Sequence, residues 1–424
     1  MRIKRVTVTP IAFKDPPLLN ASGIHEPYAL RSIIQVESDG GLVGLGESYG
    51  DAPVLSVLER VKDELIGLDP MDLNGLRARV KSVVARQARP AAGGTELAPG
   101  SHASKQIANA YSAFEVALLD LQARHLNAPL VDLLGGRIRD EVPFSAYLFL
   151  KYAEHIDSPY KPDRWGEAMT PEQIVAQAKK MIDEYGFGSI KLKAGALEPE
   201  FEVACIKALK KAFPNHGLRI DPNGNWNVET AVRMAGLMGD DLEYYEDPSP
   251  GLDGMAEVHR RTGLPLATNM VVTDFDEFRR SLELNSVQIV LSDHHYWGGL
   301  RDTQVLSRMC DTFGLGLSMH SNSHLGISLM AMSHLAATVP NLNYACDTHY
   351  PWQEADEEVI KGGKLPIRNG CVKITDAPGL GVELDPDQLQ KLHELFLSID
   401  IRQRDDVRQM RKYRPDWKQV KPRY

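Results

Sequence analysis

The sequence predicts an α/β protein built as a TIM-like barrel that follows a smaller α+β domain. From residue 142 to residue 347, strand-like segments alternate with helix-like segments in units of roughly 25 residues, the pattern of parallel β/α units. Eight strand segments can be counted, which is the number that closes a TIM barrel. A chain of 424 residues is also too long for one core. A doubly wound sheet is the alternative, but no G-x-G-x-x-G follows a strand to support it.

The N-terminal region, ending near Gly136, is predicted to form the smaller α+β unit. Alternating apolar residues indicate strands, and apolar residues at helical spacing indicate helices. The predicted strands are residues 3–8, 32–36 and 42–47, and the predicted helical regions are residues 54–85 and 104–125. The glycine-rich residues 91–101 predict a flexible loop that could serve as a lid.

The barrel elements follow in strict alternation. The predicted strands are residues 142–150, 189–193, 218–221, 243–246, 264–269, 287–292, 316–319 and 343–347. The predicted helices include residues 171–185, 200–213, 228–237, 275–284, 300–313 and 327–337. The polar tail that begins at Pro386 is predicted to be partly helical.

Composition restricts the class of protein. A net charge of −9 and a pI near 5.8 argue against nucleic-acid binding, which favours a basic surface. The N-terminal residues lack the apolar core of a signal peptide, and no window is long and apolar enough to cross a membrane. The four cysteines are far apart, so neither disulfides nor a cysteine metal site are expected. These features predict a cytoplasmic protein.

The segment 189–193 is the first candidate for chemistry. Its pattern is typical of a short strand, so Lys191 and Lys193 point to the same side. Two ammonium groups on a buried face need carboxylates nearby, or one must lose its proton and become a general base. An isolated K-x-K pair lies more often on a solvated surface.

The other strand ends also carry polar side chains. In a barrel enzyme, chemistry lies at the C-terminal ends of the strands. In chain order those ends carry Lys191, Lys193, Asp221, Glu246, Asn269, Asp293, His320 and His349. A single Asp or Asn at such a position is usually a helix cap. A whole series of polar ends in register instead predicts one site at the barrel mouth.

Two groups within this series suggest a mechanism. Asp221, Glu246 and Asn269 offer hard oxygen ligands, which suit Mg²⁺ better than zinc. If Asp293 accepts a hydrogen bond from one ring nitrogen of His320, the other ring nitrogen is left to act as a base. Lys193 on one side of a metal and His320 on the other predict removal of a proton α to a carboxylate.

These residues resemble the enolase superfamily, within it the mandelate racemase subgroup, and most closely its glucarate dehydratase family. The resembling segments are Leu218-Arg219-Ile220-Asp221-Pro222-Asn223-Gly224-Asn225-Trp226, Tyr245-Glu246-Asp247-Pro248, Ala267-Thr268-Asn269-Met270, Ser292-Asp293-His294-His295-Tyr296-Trp297, His320-Ser321-Asn322-Ser323-His324 and Asp347-Thr348-His349. Asparagine as the third metal ligand is distinctive of that family. The chain departs from the family after Pro248, where its loop is shorter and lacks an acidic residue.

The resemblance implies a modified TIM barrel of the (β/α)7β type with an N-terminal α+β capping domain that the C-terminal tail completes. It implies domains at residues 1–137, 138–385 and 386–424. The implied activity is Mg²⁺-dependent dehydration of an acid sugar, glucarate or a related aldarate, to a 2-keto-3-deoxy acid. The implied partner is this dicarboxylate alone, with no nucleic acid or membrane, and the implied assembly is a homo-oligomer.

Roles for individual residues also follow from the resemblance. His320 would be the base, Lys193 the base for the epimeric substrate, and Lys191 would neutralise the substrate carboxylate. Asn322 would help hold the enediolate oxygen. The residues implied to contact the diacid are His25, Tyr147, Asn223, Ser321, His349 and Arg404.

Three alternatives remain at this point. A racemase or epimerase of the same fold would use Lys193 and His320 as a two-base pair without forming a keto acid. A metal-free aldolase would form a Schiff base on Lys193. A binding protein without activity would need no paired bases, which argues against it.

Overall fold

A computed structural model of the chain describes residues 1–86 and 105–424. The loop predicted at residues 91–101 lies outside this part of the chain. In the described residues, no helix has the length and apolar character needed to cross a bilayer.

The N-terminal region forms an antiparallel sheet with helices packed against it. Its strands are β1 (Ile3–Lys14), β2 (Leu19–Asn20), β3 (Gly23–Ile24), β4 (Tyr28–Ser38) and β5 (Val43–Tyr49). Its helices are α1 (Ala52–Glu64), α2 (Leu73–Ala85), α3 (Gln106–His125) and α4 (Leu130–Leu133). The main sheet has the order β1-β4-β5, and we call this unit the capping domain. The helical region predicted at 54–85 is two helices, because Gly67 is left-handed with φ 79° and Pro70 follows it.

A curled, all-parallel, seven-stranded sheet follows, which confirms the predicted α/β barrel class. Its strands are β7 (Ala146–Phe149), β8 (Ser189–Lys193), β9 (Gly217–Asp221), β10 (Tyr244–Glu246), β11 (Leu266–Thr268), β12 (Ile289–Ser292) and β13 (Gly316–Met319). A short strand β6 (Glu141–Pro143) precedes them and pairs with β14 (Cys371–Lys373). The strands of the large sheet pair in sequence order, as expected for successive β/α units.

The helices between the strands match the predicted alternation. They are α5 (Pro171–Tyr185), α6 (Pro199–Ala212), α7 (Val228–Met238), α8 (Gly251–Thr262), α9 (Phe275–Leu284), α10 (His294–Trp297), α11 (Gly299–Thr312) and α12 (Gly326–Thr338). Helix α5 shows why the sequence predicted its ends. Thr170 caps it by accepting a hydrogen bond from the Gln173 amide, Pro171 begins it, and Gly186 ends it in the left-handed region.

The eighth strand predicted at residues 343–347 is not a regular strand, so that prediction is wrong in detail. Within it, Cys346 forms a single bridge to Phe144, and Leu342, just before it, forms one to Leu317 of β13. The Cys346 amide donates to the Pro143 carbonyl at 2.8 Å, and the Asp347 amide donates to the Met319 carbonyl at 2.8 Å. Because isolated bridges do not build a ladder, the segment closes the barrel without becoming a strand.

Carboxylates of the capping domain bind the N-termini of two barrel helices. Glu47 accepts hydrogen bonds from the amides of Leu325 and Ser328 at the start of α12, both at 2.9 Å. Glu115 accepts one from the Leu300 amide at 2.6 Å, at the start of α11. A carboxyl group at a helix N-terminus satisfies free amides, and the ionised carboxylate of Glu47 also meets the positive end of the α12 dipole. These contacts hold the capping domain over the barrel.

The C-terminal segment returns to the capping domain. It contains α13 (Pro386–Ser398) and α14 (Asp406–Tyr413). Asp406 accepts a hydrogen bond from Asn20 at 2.5 Å, and Arg408 pairs with Glu26 at 2.7 Å. The segment therefore packs on the capping domain, with α14 against the β2–β3 hairpin and α13 against β1.

Candidate active site

The two lysines of β8 are buried and surrounded by carboxylates. Lys191 Nζ lies 2.6 Å from Glu246 Oε1, 2.7 Å from Asp347 Oδ2 and 3.5 Å from Asp221 Oδ2. Lys193 Nζ lies 2.6 Å from Asp221 Oδ2. Burial disfavours the ammonium form of Lys191, but Asp347 and Glu246 outweigh it and raise its pKa well above the usual value. Carboxylates thus supply the opposite charge that the sequence required.

Three acids meet beside these lysines. One carboxylate oxygen from each of Asp221, Glu246 and Asp247 lies within 4.8 Å of the others, and all three residues are buried. Burial opposes ionisation of Asp221, but Lys193 and Lys191 outweigh it and lower its pKa to about 2. Burial and the charge of Asp221 raise the pKa of Glu246 well above its usual value and that of Asp247 to about 7.

Asp247 is a residue that sequence reasoning did not assign to the site. It stands directly after β10 with a positive φ of 36°, which turns its carboxylate back toward β11. Its Oδ1 accepts from the Thr268 hydroxyl at 2.5 Å, and its Oδ2 accepts from the Asn269 amide at 3.0 Å. The pair Glu246-Asp247 before Pro248 was a visible signal, since both positions follow a strand end.

The predicted His–Asp pair is formed, and a second histidine shares its carboxylate. His320 Nδ1 lies 3.2 Å from Asp293 Oδ2, and His295 Nδ1 lies 2.7 Å from Asp293 Oδ1. The Tyr296 hydroxyl lies 3.3 Å from His320 Nδ1. Burial raises the pKa of Asp293, but His295 and His320 outweigh it, so this pKa is well below the usual value. Burial lowers the pKa of His320.

The loop after β13 carries two more predicted residues. Asn322 Nδ2 donates a hydrogen bond to the Tyr49 hydroxyl of the capping domain at 3.0 Å. The Ser321 hydroxyl is buried and has no hydrogen-bond partner among residues 1–86 and 105–424. Asn322 therefore lies where the barrel meets the capping domain, and Ser321 precedes it in the same loop.

A cluster of rings lies beside Lys191. Tyr147 is the register partner of Lys191 on β7, and Lys191 Nζ lies 4.6 Å from the centroid of the Tyr147 ring. The His349 ring lies 4.6 Å from that of Tyr147, and the His25 ring lies 5.7 Å from that of Phe149. Burial, then the nearby basic groups of His25 and His320, lower the pKa of His349 well below its usual value. The three histidines therefore converge.

The remaining predicted residues come from three parts of the chain. Asn223 has φ 57°, and its amide donates to Asp221 Oδ1 at 2.9 Å. His25 Nδ1 lies 3.0 Å from Asp15 Oδ2. Arg404 donates to both oxygens of Asp406 at 2.7 and 2.6 Å. Burial opposes the charge of Arg404, but Asp406 outweighs it and raises its pKa.

A cavity lies between the capping domain, the loop after β13 and the C-terminal segment. Its lining includes Asp15, Arg31, Tyr49, Asn322 and Arg404. None of the three clustered acids lines it, so it adjoins the acid–base groups through Asn322 rather than enclosing them. Acidic and basic groups of the capping domain and the C-terminal segment thus face one space together with Asn322 of the loop after β13.

Family models match both halves of the chain. Residues 5–135 match the N-terminal domain of mandelate racemase and muconate lactonizing enzyme, and residues 173–388 match the enolase C-terminal domain-like model.

Individual relatives match over nearly the full length. The chain is 49% identical to a probable glucarate dehydratase of Streptomyces coelicolor, over 98% of this chain and 97% of the relative. It is 76% identical to a solved protein from Pseudomonas fluorescens, described as an enolase with bound magnesium, potassium and tartrate, with a TM-score of 0.98 over 100% of this chain and 99% of that one. It is 50% identical to a solved Mycobacterium smegmatis protein with tartrate, with a TM-score of 0.93 over 100% and 98% of the two chains.

Proposed function

The chain belongs to the mandelate racemase and muconate lactonizing enzyme family of the enolase superfamily, and we propose that it is a Mg²⁺-dependent dehydratase of acid sugars. The proposed substrate is glucarate or a related aldarate, and the proposed product is a 2-keto-3-deoxy acid. The relationship to a probable glucarate dehydratase supports this choice. The similar Pseudomonas protein holds tartrate, a hydroxylated dicarboxylate, which fits the same class of substrate.

One observation carries the proposal. A lysine on β8 and a histidine–aspartate pair after β12 and β13 lie in one barrel whose strand ends also carry three clustered acids. Lys193 contacts Asp221, and His320 contacts Asp293. The charges of both Lys193 and His320 act on Asp221, so the two proposed bases lie near the same carboxylate. Two bases beside an acid cluster suit removal of a proton α to a carboxylate.

The residues present fit a magnesium ion. Asp221 and Glu246 offer carboxylate oxygens, and Asn269 offers an amide oxygen from the next strand end. Oxygen donors of this kind, few in number, are those that Mg²⁺ prefers. When bound there, Mg²⁺ would supply positive charge that stabilises the negative charge developing on the substrate carboxylate.

His320 is the proposed base. Its Nδ1 donates to Asp293, which leaves Nε2 with a lone pair for the α proton. Asp293 then stabilises the imidazolium that forms. The C–H electrons pass into the enediolate, the β carbon–oxygen bond breaks, and His320 returns its proton to the leaving hydroxyl as water. The resulting enol becomes the 2-keto-3-deoxy acid.

The other proposed roles follow from contacts in the same region. Lys193 would act as base on the opposite face, for the epimeric substrate. Lys191 is proposed to balance the charge of Glu246 and Asp347 together with that of the substrate carboxylate. Asn322 Nδ2 donates one hydrogen to the Tyr49 hydroxyl, and its second hydrogen could be donated to an enediolate oxygen.

Substrate contacts are proposed for six residues, namely His25, Tyr147, Asn223, Ser321, His349 and Arg404. Two of them present buried polar atoms that a ligand could satisfy. Within the described part of the chain, Ser321 Oγ and His349 Nδ1 have no hydrogen-bond partner. Because an unpartnered buried polar group is costly, a polar ligand at this position would be stabilising. We also propose the division into residues 1–137, 138–385 and 386–424.

A two-base epimerase is the second candidate, favoured by the same Lys193 and His320 pair. It differs from the dehydratase in one step only, since a proton returns to the α carbon instead of the hydroxyl leaving. Incorporation of deuterium at the α carbon in heavy water, without keto acid, would identify it.

A screen of aldaric and aldonic acids with Mg²⁺ tests the proposal, with 2-keto acid detected by semicarbazide. Keto acid from glucarate or one of its epimers is the expected result. The absence of keto acid from every diacid would contradict the dehydratase assignment. The same samples in heavy water report α-proton exchange and so separate the two candidates.

A further inference from the structure

Two neighbouring residues of the capping sheet, Arg31 and Tyr49, reach from the capping domain to the barrel. They are register partners on β4 and β5, so both side chains project from the same face of the sheet. The guanidinium carbon of Arg31 lies 4.9 Å from the centroid of the Tyr49 ring. Arg31 is 1% exposed and Tyr49 is 6% exposed, so the pair is enclosed at the interface.

A carboxylate fixes the position of Arg31. Its Nε donates to Glu47 Oε1 at 2.8 Å. Glu47 is itself held by the amides of Leu325 and Ser328 at the N-terminus of α12. Burial disfavours ionisation of Glu47, but Arg31 outweighs it and lowers its pKa. The guanidinium is therefore anchored to the barrel as well as to its own sheet.

The second arm of Arg31 contacts His295. Arg31 Nη2 lies 3.0 Å from His295 Nε2, and the Ser328 hydroxyl lies 2.9 Å from the same nitrogen. A guanidinium has hydrogens only to donate, so Nε2 accepts, and the proton of the neutral ring is on Nδ1. That Nδ1 lies 2.7 Å from Asp293 Oδ1 and donates to it. Arg31 thus selects the tautomer in which His295 holds Asp293.

Asp293 passes this constraint to the proposed base. One of its oxygens accepts from His295, and the other accepts from His320 Nδ1 at 3.2 Å. A carboxylate with a hydrogen-bond donor on each oxygen cannot rotate without losing one of them. The orientation of His320 therefore depends on a chain of contacts that begins in the capping domain.

Tyr49 acts on a different group at the same mouth. Its hydroxyl accepts from Asn322 Nδ2 at 3.0 Å, and its ring lies 5.4 Å from the His295 ring. Asn322 is the residue proposed to hold the enediolate oxygen. One cross-strand pair of the capping sheet thus acts on two groups of the site. Arg31 acts on the base by way of His295 and Asp293, and Tyr49 contacts Asn322 directly.

We propose that Arg31 and Tyr49 are positioning residues of the acid–base site. Arg31 orients Asp293 and His320 by way of His295, and Tyr49 orients Asn322. The proposal rests on the function proposed above, because it takes His320 as the base. It gives the capping domain a part in the chemical step, in addition to covering the substrate.

Kinetics of Arg31→Lys and Tyr49→Phe test the proposal. Each should lower kcat about tenfold or more while KM changes less than about twofold. A misplaced base reduces stabilisation of the transition state but leaves substrate binding unchanged. The isotope effect on kcat with α-deuterated substrate should rise or stay high, since proton removal becomes slower. Values of kcat within about twofold of wild type in both variants would overturn the proposal.

A second arginine–tyrosine pair in the capping domain provides controls, with Tyr111 buried and the Arg77 side chain partly exposed. The guanidinium carbon of Arg77 lies 3.9 Å from the Tyr111 ring centroid, and this pair contacts Glu115 and Asp302 rather than the barrel mouth. Arg77→Lys and Tyr111→Phe perturb another contact between the capping domain and the barrel, Arg77 with Asp302 of α11, but should leave kcat unchanged. Equal losses of kcat in controls and test variants would mean that the effect is only structural, and would overturn the proposal.

Two further measurements keep the proposal testable if Arg31→Lys does not fold or the substrate is not found. His295→Asn keeps a donor toward Asp293 but loses the contact with Arg31, so it should show the same fall in kcat. ¹⁵N NMR needs no activity. In the wild type, the ¹⁵N chemical shifts of the His295 ring should show a proton on Nδ1. These shifts should change in Arg31→Lys or, if that variant does not fold, in Ser328→Ala. The ¹⁵N chemical shift of the Asn322 side-chain amide should change in Tyr49→Phe. Unchanged signals would overturn the proposal, whereas a wild type without turnover would contradict the proposed function alone.

Discussion

Lys193 and Asp221 are register partners on adjacent parallel strands, and Lys193 Nζ lies 2.6 Å from Asp221 Oδ2. A residue proposed as a base and a residue proposed as a metal ligand therefore share one hydrogen bond. Because both side chains stand at strand ends, the pairing of β8 with β9 sets their distance. The strand pairing therefore couples the position of the proposed base to that of the proposed metal ligand. Substitution of either residue should disturb the side chain of the other.

His320→Asn should abolish turnover of the glucarate-type epimer. Loss of a positioned general base costs about 10²–10⁴-fold in rate, and here the same group also protonates the leaving hydroxyl. The measurement is keto acid formation at saturating substrate. His393→Asn is a control, because the His393 ring bonds the Pro10 carbonyl on the capping sheet and has no proposed part in the reaction. Full activity of the His320 variant would refute its role as the base.

Asp293→Asn should lower kcat strongly while the fold is retained. An amide at this position cannot accept from both His295 and His320 as a carboxylate does, so His320 loses its fixed tautomer. We expect a loss of about 10²-fold or more in kcat, measured alongside circular dichroism. A variant with wild-type kcat would show that the carboxylate does not assist His320.

Removal of divalent metal should abolish activity, and Mg²⁺ should restore it. The carboxyl groups of Asp221 and Glu246 need a further countercharge when a dianionic substrate arrives beside them, and the amide of Asn269 adds a neutral oxygen donor. Mg²⁺ should also raise Tm, since a ligand that binds only the folded state stabilises it. Asp221→Asn should weaken both effects. Undiminished turnover after exhaustive EDTA treatment would favour the Schiff-base alternative on Lys193.

Lys191→Met should destabilise the protein by about 3–5 kcal/mol, because it removes the nearest cation from the buried carboxyl groups of Glu246 and Asp347. Urea denaturation measures the change. Lys361→Met is the matched control, since Lys361 pairs with Glu383 at 2.8 Å with both side chains largely exposed, and such exposed pairs contribute little to stability. Equal effects of the two substitutions would contradict the buried charge network.

Glu115→Gln should change how stability depends on pH. Burial raises the pKa of Glu115 from 4.5 to about 8 in the folded protein. The folded state therefore holds this proton at pH values where the unfolded state has lost it, and stability falls as pH rises from about 4.5 to about 8, by at most about 1.4 kcal/mol per pH unit. Glutamine does not titrate, so the stability of the variant relative to wild type should increase over that window. A difference that is constant between about pH 5 and pH 8 would contradict the assignment.

The sequence predicted the order and type of the elements because their signals are local. Alternation and helical periodicity marked the strands β7 to β13 and their helices, and caps such as Thr170 and Gly186 marked the helix ends. The same signals failed for residues 343–347, whose contacts with Phe144 and Leu317 depend on the two edges of the sheet and not on their own pattern.

The identity of the polar side chains at the strand ends follows from the sequence alone, since each lies at or just after the end of its strand. In a parallel barrel these ends meet at one mouth, so the order of residues was enough to select Lys193, Asp221 and His320 as candidates. Their partners depend on tertiary packing. Asp347 beside Lys191, and Arg31 and Tyr49 beside the His320 loop, come from distant parts of the chain. No local periodicity relates such positions, because their contact arises from barrel closure and domain packing. Only in the packed structure is it decided which charged groups are buried and which partners they meet.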